Sequence, residues 1–153
     1  MMRFLSFTIL ALGLTACAHG PRADATLYER LGGESAMMEI ASATVDTLAA
    51  SPDGRRTMDR VNLPRLKKKI AQQFCALAAG PCHYSGDDMK LAHAGLKISE
   101  REFNAIVEIL REVLNRRGVA EREKNELLQL LAPMQRDIVV VGRSVLRAQP
   151  CCA

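Results

Sequence analysis

Tryptophan is absent from this 153-residue chain, and aromatic residues make up only 4% of it. Its core is therefore expected to be largely aliphatic. Charge of one sign is also scarce: 21 Lys and Arg against 17 Asp and Glu leave a net charge of +4. So small an excess, with one short cluster at Arg65, Lys67, Lys68 and Lys69, argues against a nucleic-acid binder, which gathers its basic residues on one face. That cluster reads as a solvated helix face or, more sharply, as a contact for an anionic ligand. No G-x-G-x-x-G loop, internal repeat or zinc-type Cys/His spacing occurs. No Ser or Cys is placed beside a histidine as a nucleophile beside its base would be. What the chain does have is 48% hydrophobic residues and abundant Ala, Leu, Arg, Glu and Met, a composition that favours helices.

The first residues read as a leader. Arg3 precedes an apolar stretch, Phe4 to Leu14, that is too short to span a bilayer. It ends at Leu14-Thr15-Ala16-Cys17, a string that resembles the processing box of bacterial lipoproteins. Residues 1–16 are thus expected to be a signal peptide, and 17–25 a tether lipidated at Cys17. Ala18, where inner-membrane retention would favour Asp, points to the outer membrane, facing the periplasm. Loss of Arg3 lowers the net charge from +4 to +3. An oxidising compartment permits disulfides. Cys75 and Cys82 flank Gly80-Pro81 and could close a small loop, whereas Cys151 and Cys152 are adjacent and could stay free or pair between molecules.

Hydrophobic spacing predicts helices throughout. Leu27 to Leu31 forms a short one, stopped by Gly32-Gly33. A second runs from Ser35 to Ala50 and ends at Ser51-Pro52-Asp53-Gly54. Pro64 opens a third, with Leu66, Ile70, Phe74 and Leu77 on one stripe. Asp87 or Asp88 can cap a short helix that carries Met89 and His93. Ser99 and Glu102 form a capping box ahead of a long helix with Phe103, Ile106, Val107, Leu110, Val113 and Leu114. The last helix is expected over 121–146, kinked at Pro133. No strand is expected, because Val139-Val140-Val141 continues a helical stripe.

Several strings, taken together, resemble the bacterial truncated globins, most closely their first group. They are Leu27-Tyr28-Glu29-Arg30-Leu31-Gly32-Gly33, Ala79-Gly80-Pro81, Tyr84-Ser85-Gly86-Asp87-Asp88-Met89, Ala92-His93-Ala94-Gly95-Leu96, Gly118-Val119 and Leu131-Ala132-Pro133. They lie in register over about 26–141, and the family's usual glycine pair has become Ala79-Gly80. The resemblance implies an all-α fold, a two-over-two helical sandwich at 26–147 followed by a tail at 148–153. It implies haem b, with His93 as the proximal iron ligand and Tyr84, Met89, Phe103 and Val107 against the cofactor. A neutral imidazole nitrogen is the donor that globin iron takes.

On the distal side the chain departs from the family. Thr44-Val45 stands where relatives carry Phe-Tyr, whose hydroxyl bonds the bound gas. Met58 stands for the wedge Phe, and Ile70 for a Gln, with Leu66 one turn earlier. Val45, Met58, Leu66 and Ile70 would then line an apolar pocket without a hydrogen-bond donor. Lys69 falls where relatives place Lys or His near the haem edge, to pair with a propionate or to act as a distal ligand. The expected function is a haem globin of the envelope, binding oxygen or another diatomic gas, or acting in redox or sensing with an unknown reductase partner. That makes it a ligand-binding or redox haem protein rather than a dedicated enzyme, and a donor-free pocket argues against a nitric oxide dioxygenase. The alternatives are a haem-free globin-fold lipoprotein serving as an envelope interaction module, and a thiol-redox lipoprotein using Cys75 and Cys82.

Overall fold

The structure, a computed structural model, describes residues 24–141. The leader, Cys17, Cys151 and Cys152 lie outside the described residues. Among the described residues eight α-helices follow one another: α1 (Leu27–Arg30), α2 (Gly33–Ala50), α3 (Arg55–Met58), α4 (Leu63–Leu77), α5 (Met89–Ala92), α6 (Glu100–Arg116), α7 (Glu121–Leu131) and α8 (Gln135–Ile138). Among the described residues no helix is long and apolar enough to cross a membrane.

Local chemistry sets most boundaries. Thr26 and Glu29 cap α1 reciprocally, and Gly32 and Gly33, at φ +103° and +72°, turn the chain into α2. Asn62 caps α4 by accepting from Arg65 N at 3.0 Å. Asp88, of the two expected candidates, caps α5 by accepting from Leu91 N at 2.9 Å. The Ser99–Glu102 capping box forms as the spacing requires.

The stretch after Gly54, where the hydrophobic spacing announces no helix, holds the short helix α3. Two expectations are corrected, the unbroken last helix and the absence of a strand. The last helix is not continuous to 146: α7 ends at Leu131, a 3₁₀ turn spans Ala132–Met134, and α8 is four residues long. Pro133 is the physical reason, since it lacks the N–H that an α-helix needs. The three valines then extend as a strand, β2 (Val139–Val141), parallel to β1 (Ile98–Ser99), with Ile98 opposite Val139. β-Branched side chains prefer this backbone once the helix is broken.

α2 is the central helix, packed most extensively on α4 and then on α6. Ile40, Ala41, Leu114 and Leu127 are fully buried, with Met37, Phe74, Cys75, Leu110 and Val113 around them. The core is aliphatic, as the composition requires. α7 is held to α1 by Arg30, which pairs with Glu123 and Glu126 and so sits above the ordinary arginine pKa, chiefly through its hydrogen bond to Glu126.

Candidate functional site

The apolar stripes of α4 and α6 do not close along their whole length. Toward their C-terminal ends they join the core. Toward their N-terminal ends Leu66, Ile70, Phe103, Ile106 and Val107 are only half-buried and face a cleft. Phe74 and Leu110 floor it, and Met89, Ala92 and His93 stand on the α5 side. The enclosed space amounts to about 200 Å³, below the about 300–1,000 Å³ usual for small-molecule and cofactor sites, and it continues through an open mouth.

His93 is the C-cap of α5. Its Nδ1 lies 2.9 Å from Met89 O. A carbonyl can only accept, so Nδ1 carries the proton, and in the neutral ring Nε2 keeps its lone pair. That is the tautomer of a metal-ligating histidine oriented by the backbone. Among the described residues no three His, Cys, Asp or Glu gather as a metal site.

The sequence-derived residues divide cleanly. Leu66, Lys69, Ile70, Tyr84, Met89, His93, Phe103 and Val107 all line the cleft; Val45 and Met58 are not among its lining residues. Val45 is 1% exposed, and Met58 ends α3. Thr44 takes the lining position on α2. Gln73, Met134 and Ile138 also line it and were not singled out; Gln73 lies one turn past Lys69, a spacing that could have found it.

The polar groups of this lining are engaged within the protein. The Thr44 hydroxyl donates to Ile40 O at 2.8 Å. Gln73 Nε2 faces the sulfurs of Met89 and Met134, each at 3.5 Å. Lys69 Nζ donates to Ser85 Oγ at 2.8 Å and to Ser85 O at 3.2 Å. The Tyr84 hydroxyl donates to Asp87 O at 3.0 Å, and burial first, then Asp87 and Asp88, push its pKa up. Lys67, of the basic cluster, pairs with Asp46 at 2.6 Å, which favours a solvated face. Cys75 and Cys82 form a disulfide, Cα to Cα 5.8 Å. Outside the cleft lining, Arg56 binds Glu102 at 2.6 Å and Leu96 O at 2.8 Å. The Glu102 carboxyl sits below its ordinary pKa, chiefly through its hydrogen bonds to the Ser99 backbone and hydroxyl.

A half-open, mostly apolar cleft between helices, with one backbone-oriented imidazole at its wall, defines a helical cofactor-binding protein of the globin type. The family comparison is more specific: the model of the bacterial-like globins matches residues 26–140, and the chain belongs to that family. It is 28% identical over 114 residues to a group 1 truncated hemoglobin of Tetrahymena pyriformis, covering 74% of this chain and 94% of that protein. A group 1 truncated hemoglobin of Mycolicibacterium paratuberculosis is 29% identical over 114 residues, 74% of this chain and 84% of that one. The crystal structure of the Tetrahymena pyriformis protein in its Fe(III) form superposes with a TM-score of 0.72 over 75% of this chain and 98% of that chain. The 2/2 hemoglobin of Synechococcus, 21% identical, shares the fold at a TM-score of 0.70 over 75% and 98%. The fold is the two-over-two helical sandwich, with the β1–β2 pair as a minor addition. Haem is the cofactor that membership implies, and the His93 tautomer, the apolar half-buried walls and the Lys69 cation at the rim fit it.

Proposed function

We propose that this chain is an exported, lipid-anchored truncated globin that holds haem b in the cleft with His93 as its proximal ligand. The observation that carries this is the Nδ1–Met89 O hydrogen bond, which leaves Nε2 as the donor atom in an apolar wall. Bound haem supplies an iron centre for a diatomic gas. The chain's own part is to present the imidazole, to exclude water with Leu66, Ile70, Phe103 and Val107, and to pair a propionate with Lys69. Thr44 and Tyr84 give their donors to backbone carbonyls and Gln73 Nε2 faces two thioether sulfurs, so a gas bound there would receive little hydrogen bonding from them. A missing donor would forgo about 1 kcal/mol of stabilisation, so oxygen would leave faster than from donor-bearing relatives. Such a pocket suits a redox or sensing role at the envelope, served by a reductase partner.

The leader resemblance at residues 14–17 supports the envelope, as does the disulfide, a bond that persists outside the reducing cytosol. The test uses protein from the membrane fraction of a bacterium expressing the full chain. The expected result is lipid on Cys17 by mass spectrometry, a Soret band that His93→Ala abolishes, and rapid oxygen release from the ferrous form. A folded protein without the band would overturn the haem reading and leave the haem-free envelope module. Unmodified Cys17 would overturn the anchor.

A further inference from the structure

We propose that the Cys75–Cys82 disulfide is a positioning bond of the cofactor cleft, setting the loop at 79–88 so that Tyr84 walls the cleft and Ser85 fixes Lys69 at its rim. The inference rests on the haem reading above. Cys75 lies on α4 inside the core, 2% exposed, and Cys82 is half-buried in the loop. Three residues beyond Cys82, both oxygens of Ser85 accept from Lys69, which sits six residues before Cys75 on the same helix. One loop is thus tied to one helix at two places, with Tyr84 between them. The loop has little else to hold it. Pro81, His83, Ser85, Asp87 and Asp88 are exposed, and few buried apolar contacts mean low local stability. The start of the loop is wound tightly. A Cβ on Gly80 would come within 2.6 Å of both Cys75 Sγ and the Tyr28 ring, and Ala79 holds φ +59°, a conformation that persists only where its surroundings enforce it.

The chemistry makes the bond a staple rather than a toggle. A dithiol reductant would have its thiolate attack Cys82 Sγ, the more accessible sulfur, expelling the Cys75 thiolate, which takes up a proton in the core. The reagent's second thiolate then displaces Cys82, giving two protein thiols and a cyclic reagent disulfide, a transfer of two electrons and two protons. Expelling a thiolate into an apolar interior is slow, so the bond opens only on prolonged exposure to such a reductant.

The test compares haem loss from the loaded full-length chain to excess apomyoglobin. Cys75→Ala with Cys82→Ala is expected to speed loss about tenfold, because the freed loop regains its disorder. Lys69→Met is expected to speed loss in the oxidised chain and to add little in the double-alanine chain, where Ser85 no longer holds the Lys69 amine in place to meet a propionate. A staple that served stability alone would leave the Lys69→Met effect undiminished. Hydrogen exchange of the haem-free chain supplies the separate measurement. Dithiothreitol reduction should speed exchange at 82–88 about tenfold or more while α2 and α6 stay protected. It needs no haem, so a chain that never loads haem fails the earlier reading and not this one. If the double-alanine variant does not fold, reduction of the native chain serves in its place. Unchanged exchange at 82–88, haem loss altered by less than about twofold, or additive effects of the two changes would each overturn the proposal.

Discussion

The two ends of α4 and α6 carry the same kind of side chain in different states. At the C-terminal ends Phe74, Cys75, Leu110, Val113 and Leu114 are at most 5% exposed, in one cluster with α2 and α7. At the N-terminal ends Leu66, Ile70, Phe103, Ile106 and Val107 stay half-buried around a cleft. Nothing in the residue types distinguishes the ends, and each obeys the helical period. What differs is the partner. The closed end meets side chains of α2 and α7. The open end meets the short helix α5, a polar loop and the side chains of Met134 and Ile138, which together leave it unfilled. Burying apolar surface yields about 25 cal/mol per Å², so the open end keeps unrealised stabilisation that a flat apolar ligand can supply. Stability resides at one end and recognition at the other.

The strongest way to break that contrast is at the closed end. Leu114 is fully buried, and Leu114→Ala is expected to cost the haem-free chain about 2–5 kcal/mol, the usual span for a core leucine. Denaturant unfolding checks this, with the loaded chain showing the same loss. Phe103→Ala sharpens the contrast from the other side. The ring is only half-buried, so its removal is expected to cost the haem-free chain only about 1 kcal/mol while clearly quickening haem loss. Equal destabilisation of the haem-free chain by both variants would erase the distinction between the ends.

Much of this was legible in the sequence because it is written locally. The Ser99–Glu102 box, the Asp88 cap and the stripes of α4 and α6 depend on spacings within one or two turns. Eight of the ten cofactor-side residues proposed from sequence line the cleft. The other two, Val45 and Met58, lie off the cleft lining for tertiary reasons. Whether Thr44 or Val45 faces the cleft is a rotation of α2 by one residue, fixed by its packing on α4 and α6. Met58 depends on α3, a four-residue helix with no buried residue to announce it. β2 was missed because its valines suit a helix stripe as well as a strand, and its partner lies some forty residues back at Ile98. The Cys75–Cys82 pair was feasible from spacing, but four cysteines besides Cys17 left the connectivity open.

The smallest effect expected lies in the loop between the two ends. Ala79 stands where the family usually has glycine, and its φ is +59°. An L-residue in the left-handed region costs about 1–2 kcal/mol through the approach of Cβ to the following carbonyl, while glycine pays more entropy on folding, about 0.5–1 kcal/mol. The two oppose each other, so Ala79→Gly should stabilise the oxidised chain by about 0.5–1 kcal/mol, read as a small rise in the denaturant midpoint. The sign is what matters. Gly80, next along, tolerates no such exchange in reverse, because its Cβ would collide with the disulfide and the Tyr28 ring. If Ala79→Gly instead destabilises the chain, the loop relies on the stiffness of alanine to hold Tyr84 against the cleft, and the open end is more rigidly built than its exposure implies.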